Sequence, residues 1–119
     1  MLFRSGRIGR VHKVEVGLPT GNPLKEATPV GSVPEGFDYD MWLGPAPWHP
    51  YTPKRTHWDF RWILDYSGGQ LTDWGAHHND IFNWGMGTEN TGPITVDGSG
   101  DFPRDGIRDA AKNYLIKYT

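Results

Sequence analysis

The residues best suited to chemistry lie between positions 71 and 84, in the run Leu-Thr-Asp-Trp-Gly-Ala-His-His-Asn-Asp-Ile-Phe-Asn-Trp. On a helix, residues three and four apart share a face. Asp73, His77, Asp80 and Trp84 therefore form one stripe, with Trp74, His78 and Ile81 on the next. An Asp one turn before a His can hydrogen-bond to it, fix its tautomer and raise its basicity. A general acid/base acting on a hydroxyl needs those properties. The same spacing also arises as a helix-supporting contact, and an Asp in a first turn serves the helix dipole by itself. His78 reads as a partly buried polar residue. Asp80 either holds His77 from its other side or faces solvent.

Residues 71–84 read as the main helix, with Thr72 as N-cap, Asp73 at the positive end and Gly85 and Gly87 after the last turn. Residues 8–18 alternate: Val14, Val16 and Leu18 fall on one face and Val11, Lys13 and Glu15 on the other, the pattern of a strand. Residues 19–57 have no sustained period and carry Pro19, Pro23, Pro29, Pro34, Pro45, Pro47, Pro50 and Pro53. Proline fixes φ and removes a donor, so this is a loop. Its stretch 37–51 is rich in aromatic rings, which disordered segments lack, and it reads as ordered. Residues 57–66 fit a short strand or a helical turn equally. Further strands are expected at 93–97 and 110–118, the latter with Tyr114, Ile116 and Tyr118 on one face. The fold class is α+β: an antiparallel or mixed sheet, one main helix and a long ordered loop.

At 119 residues the chain is one domain or a piece of one. Gly and Pro make up 16 and 10 residues, so irregular backbone is extensive, and six Trp must supply much of the core. The net charge of −2 with scattered basic residues argues against nucleic acid as a partner. No apolar run approaches the ~18 residues of a membrane span. Without Cys there is no disulfide, thiolate metal site or thiol nucleophile. No export signal is visible at the start, and the cytoplasm is the default compartment.

Three segments carry a resemblance. Gly68-Gly69-Gln70-Leu71-Thr72-Asp73-Trp74-Gly75-Ala76-His77-His78-Asn79-Asp80 resembles the Gly-Gly-x-Leu-x-Asp-x-Gly-x-His-x-x-Asp helix of the Gfo/Idh/MocA oxidoreductases. Ser5-Gly6-Arg7-Ile8-Gly9 is similar to the start of the first strand of that family's C-terminal domain. Residues 33–46 resemble the Pro-x-Gly-x-Asp-x-Asp-x-Trp-Leu-Gly-Pro-Ala insertion of many bacterial members. The three stand in the family's order and span nearly the whole chain. By this resemblance His77 is the base that takes the proton at the carbon whose hydride goes to nicotinamide, and Asp73 is its orienting partner. Trp42 and Trp48 would stack on a small sugar-like ligand, or simply belong to the core. Arg61 and His78 are further substrate-side candidates, although a salt bridge from Arg61 to Asp59 or Asp65 is the expected alternative.

The resemblance stops short of a complete oxidoreductase. A dinucleotide fingerprint needs a strand, a Gly-x-Gly-x-x-Gly turn and a helix. Gly6-Arg7-Ile8-Gly9 precedes a strand, and Gly98-Ser99-Gly100 is followed by Pro103. The Rossmann domain and the family's Glu-Lys-Pro lysine are missing, so NAD(P) is expected only for a full-length relative, and no cofactor within this chain. The initial Met suggests a truncated reading frame or an engineered piece. A sheet ending at its last strand leaves an open edge, which predicts a homo-oligomer joined through sheet edges. A second reading is a stand-alone hydrolase or lyase with a divalent metal on Asp73 and His77, completed by His49 or His57.

Overall fold

A computed structural model describes residues 5–20 and 28–119. The first helix, α1 (Tyr39–Leu43), starts where the Asp38 carboxylate accepts the Met41 backbone N–H at 2.9 Å. It ends at Gly44, whose N–H donates to Asp40 O. Prolines and glycines then keep the chain in tight turns: Pro53–Arg55, Asp59–Trp62 and Gly69–Leu71 are single 3-10 turns. The longest element, α2, runs Trp74–Met86 and closes at Gly87 in the left-handed region. Two antiparallel strands follow, β1 (Val96–Asp101) and β2 (Asn113–Tyr118), in register from Val96 opposite Tyr118 to Asp101 opposite Asn113. The architecture is α+β, with one main helix and an open two-stranded sheet.

Rings form the core. Tyr39, Leu43 and Tyr51 are buried, with Phe37, Trp42 and Tyr66 packed against them. Tyr39 meets Tyr51 edge-on at 5.3 Å, and Trp42 stacks on Tyr39 at 5.9 Å and meets Tyr66 edge-on at 4.9 Å. Such pairs each contribute about 0.5–1.5 kcal/mol beyond the area they bury. Tyr39 also donates its hydroxyl proton to His49 O at 3.1 Å. The ring-rich loop is thus ordered by its own side chains. Residues 21–27 of the expected loop lie outside the described residues.

A second anchor ties the turn Asp59–Trp62 to the segment before β2. The backbone N–H groups of Asp109 and Ala110 both donate to Trp62 O, at 3.0 and 3.1 Å. The Asp109 carboxylate accepts the Leu64 N–H at 2.8 Å, and Arg108 pairs with Asp59. Ala110 also sets a demand on Gly69: φ is +66°, and a Cβ there would lie 2.8 Å from Ala110 Cβ. These bonds engage the backbone of Asp109 and Ala110, which is why β2 starts at Asn113 and not at residue 110.

Other boundaries shift for similar reasons. The Thr72 hydroxyl accepts the Gly68 N–H at 3.0 Å and donates to Gly69 O at 3.3 Å. It therefore holds the glycine turn, and the N-cap position falls on Asp73, which makes no side-chain capping bond. Leu71 belongs to the turn before the helix. The first ladder strand is Val96–Asp101 in place of 93–97 and takes in Gly98-Ser99-Gly100. Residues 57–66 resolve as 3-10 and simple turns. Residues 8–18 do not form a strand: a strand needs a partner edge, and the one ladder among the described residues joins β1 to β2. The segment lies instead along α2, where Ile8, Val11, Val14 and Val16 face Ile81, Phe82 and Met86 across a groove of about 330 Å³. Leu18 reaches the helix start, 3.4 Å from where a Cβ on Gly75 would stand.

Candidate functional site

Asp73 is the last residue before α2 and His77 lies one turn inside it. Both line an open cup of about 630 Å³ with Trp58, Arg61, Trp62, Gln70 and Trp74. Three elements build it. The turn Asp59–Trp62, pinned by residues 108–110, supplies Arg61 and Trp62; the glycine turn supplies Gln70; α2 supplies His77 and Trp74.

The expected Asp73–His77 hydrogen bond is not formed in the described structure. Asp73 pairs with Arg61, Oδ2 to Nη2 at 3.1 Å. The contact is electrostatic more than directed, because Asp73 Oδ2 and Arg61 Nε are both buried without a hydrogen-bond partner. Arg61 is fixed by rings: its guanidinium lies 4.0 Å from the Trp58 centroid and 4.5 Å from that of Trp62. Arg108 stands 4.5 Å from the Trp62 ring as well. Cation–π contacts of this kind contribute about 0.5–2 kcal/mol depending on desolvation. Arg61 therefore pairs with neither Asp59 nor Asp65. Asp59 is taken by Arg108, and Asp65 by His49 Nε2 at 3.0 Å.

His77 is exposed, with the Trp74 ring edge-on at 6.4 Å. Asp80 is exposed too, and no hydrogen bond joins it to His77. His78 turns away from the cup. Its Nδ1 sits 2.8 Å from Trp74 O, so that nitrogen carries the proton, and the ring borders the groove against residues 8–17.

The wall of the cup holds polar atoms that are closed off from solvent and unpaired. The indole N–H of Trp62 and the Gln70 Oε1 are buried and unpartnered, and Gln70 is 8% exposed. A donor, an acceptor and a carboxylate oxygen thus border flat indole faces. An unpaired buried polar atom costs about 1–3 kcal/mol, which a bound hydroxyl or water would offset.

The other expected site residues lie elsewhere. Trp42 is part of the ring core, committed to Tyr39 and Tyr66. Trp48 is 67% exposed and borders a separate hollow beside Phe37 and Tyr51. The indoles at the cup are Trp58, Trp62 and Trp74. Their spacing around Arg61 (Trp58-x-x-Arg61-Trp62) was a readable signal for a stacked guanidinium. Gln70 had none beyond its place after two glycines. His57, at φ 51°, is exposed. Among the described residues no three His, Asp or Glu gather as a metal would require, so Asp73, His77, His49 and His57 are not assembled into a ligand set.

Nor do the glycine runs fit a dinucleotide. Gly6-Arg7-Ile8-Gly9 forms a turn closed by Gly9 N–H to Gly6 O, with no helix after it, and Gly98-Ser99-Gly100 is spent in the β1 ladder. No helix among the described residues is long and apolar enough to cross a membrane.

A family model described as oxidoreductase family, C-terminal alpha/beta domain, matches residues 2–118. No curated protein matches the chain.

Proposed function

From the premise that the chain belongs to the Gfo/Idh/MocA oxidoreductase family, as its C-terminal α/β domain, we propose that the cup at the start of α2 binds a sugar-like substrate and handles its hydroxyl proton. One observation carries this reading: Asp73 and His77 line the same cup as three indoles and two unpartnered buried polar groups. Indole faces suit the apolar face of a sugar ring. Trp62 Nε1 and Gln70 Oε1 lie unpaired in the wall, and a small side-chain movement presents one donor and one acceptor to neighbouring hydroxyls.

His77, exposed to the cup and without a hydrogen-bond partner, is the general base that takes a hydroxyl proton. Asp73 accepts a hydrogen bond from the substrate, its charge held in place by Arg61. This departs from a relay in which Asp73 orients the imidazole directly. Hydride transfer lies outside what these residues do, since no phosphate cradle is present among the described residues. A nicotinamide would have to be held by another domain.

The test is 15N-labelled protein titrated with hexoses, inositols and N-acetylated amino sugars. The expected result is saturable movement of the Trp58, Trp62 and Trp74 indole signals by at least one of them, lost in Trp58→Ala and weakened in His77→Ala. Movement confined to Trp42 and Trp48, or no movement with the whole panel, would overturn the assignment.

A further inference from the structure

Independently of the cup, we propose that the hollow beside Trp48 is a docking site for an arginine side chain carried by an extended segment of a partner protein. The chain builds the required pattern twice within itself. The Arg61 guanidinium lies 4.0 Å from the Trp58 ring and pairs with Asp73 at 3.1 Å. Arg108 lies 4.5 Å from the Trp62 ring and pairs with Asp59. In each case a flat cation meets an indole while a carboxylate balances its charge, a combination that suits a guanidinium better than an ammonium.

Trp48 has the acids without the base. It lines a hollow of about 480 Å³ together with Phe37, Tyr51, Asp38 and Asp40. Over residues 28–53 the chain carries Glu35, Asp38 and Asp40 but neither Lys nor Arg. Arg55 acts on the Tyr39 phenol and is not part of the lining. Asp38 uses one carboxylate oxygen on the Met41 N–H, as the cap of α1. Asp40 suits the first turn of that helix by its charge, a role that leaves its oxygens free. Among the described residues its carboxylate has no hydrogen bond or ion pair, and Trp48 has no ring contact.

The walls are held by the fold. Gly31 N–H donates to Tyr51 O at 2.9 Å, which lays residues 30–33 beside the ring-rich loop. The Tyr39 hydroxyl fixes the backbone next to Trp48 through His49 O, and Tyr39 and Tyr51 are themselves buried. The indole thus stands on a fixed base while 67% exposed, and Val30 and Val33 at the same hollow are 70% and 42% exposed. Apolar surface gathered in one place and rimmed by carboxylates marks contact with another molecule.

The open shape decides which kind of molecule. A site for a free small ligand buries most of that ligand's surface. This hollow is open at Trp48 and encloses nothing. An arginine borne on a peptide needs only its guanidinium on the indole and beside Asp40, with the neighbouring residues of its segment over Val30 and Val33.

The test titrates 15N-labelled chain with the capped peptide Ac-Gly-Ala-Arg-Ala-Gly-NH2, with the same peptide carrying Lys or citrulline in place of Arg, and with guanidinium chloride. The Trp48 indole signal should move saturably with the arginine peptide. Citrulline keeps the planar shape without the charge and should give no saturable movement. The lysine peptide and guanidinium chloride should each bind at least about tenfold more weakly. Asp40→Asn and Trp48→Leu, read at the backbone amides of residues 33 and 40, should each weaken the arginine peptide at least about fivefold. If Asp40→Asn unfolds α1, Trp48→Leu, at an exposed ring, carries the test. Equal affinity for the citrulline peptide or for guanidinium chloride, unchanged affinity in Trp48→Leu, or movement confined to Trp58, Trp62 and Trp74 would overturn the proposal.

Discussion

Arg61, and not His77, holds the Asp73 carboxylate, at 3.1 Å across the gap between a 3-10 turn and the start of α2. The guanidinium itself rests against both the Trp58 and Trp62 rings, in the corner they form. The acid of the helix is thereby tied to the fold, and the imidazole one turn along is left open to the cup.

Replacing Arg61 tests that tie. Arg61→Met removes the charge and the stacking while keeping most of the volume. It should cost about 1–2 kcal/mol in urea unfolding, from a partly buried ion pair and two ring contacts. With its partner gone, Asp73 is free to meet His77, and the His77 ring N–H should become protected from exchange in NMR spectra. A stability change below about 0.3 kcal/mol, within the usual surface range, would show these ring contacts to be unimportant.

Gly69 should tolerate no side chain. Its φ of +66° disfavours any Cβ, and the Cβ would lie 2.8 Å from Ala110. Gly69→Ala is expected to destabilise by about 2 kcal/mol or more. Adding Ala110→Gly should recover the steric part and leave the backbone part. Equal melting temperatures for Gly69→Ala and the unaltered chain would contradict the close packing of the glycine turn on the segment before β2.

Alkaline pH should unfold the ring core. Burial, and then the neighbouring phenol of Tyr66, raise the Tyr39 pKa above its ordinary 10.0; burial raises that of Tyr114 as well. A folded-state pKa above the unfolded value means these groups hold their protons more tightly when folded. Their contribution is complete below pH ~10 and is lost as pH climbs through the raised values. Tyr39→Phe should lower stability by about 1 kcal/mol at neutral pH, through loss of the bond to His49 O, and flatten the alkaline decline. Urea midpoints from pH 7 to 11.5 for both proteins check this, and identical pH slopes would refute it.

Divalent metal should not stabilise the chain. His49 is engaged by Asp65, and the described residues hold no cluster of three ligand side chains. A specific site filled at a hundred times its Kd would add about 2.7 kcal/mol. Melting with zinc, with manganese and with chelator should therefore coincide. A rise of several degrees that vanishes in His77→Ala would revive a metal-dependent hydrolase.

Local pattern was enough for much of this protein. The helical run through His77 and the apolar alternation of the last strand depend on neighbours within a few residues, and each could be read from the chain; the five-residue α1, set among prolines in a stretch that reads as loop, shows no period long enough to read. The order of the ring-rich loop could be read too, from its own rings, but the six Trp do not supply the core as their number suggests: Trp48, Trp58, Trp74 and Trp84 are exposed, and Trp62 alone is buried. The pairing of side chains was decided by contacts distant in sequence. Trp62 is fixed by residues 108–110, over forty positions later, and that docking sets Arg61 against Asp73. The same distance rule separates Trp42 and Trp48 from the cup and brings in Trp58, Trp62 and Trp74. Periodicity states which face of an element is apolar, but not which other element will cover it. For residues 8–18 the alternation was legible while a strand partner is absent from the described chain, because a ladder is a property of two segments and neither one encodes it alone.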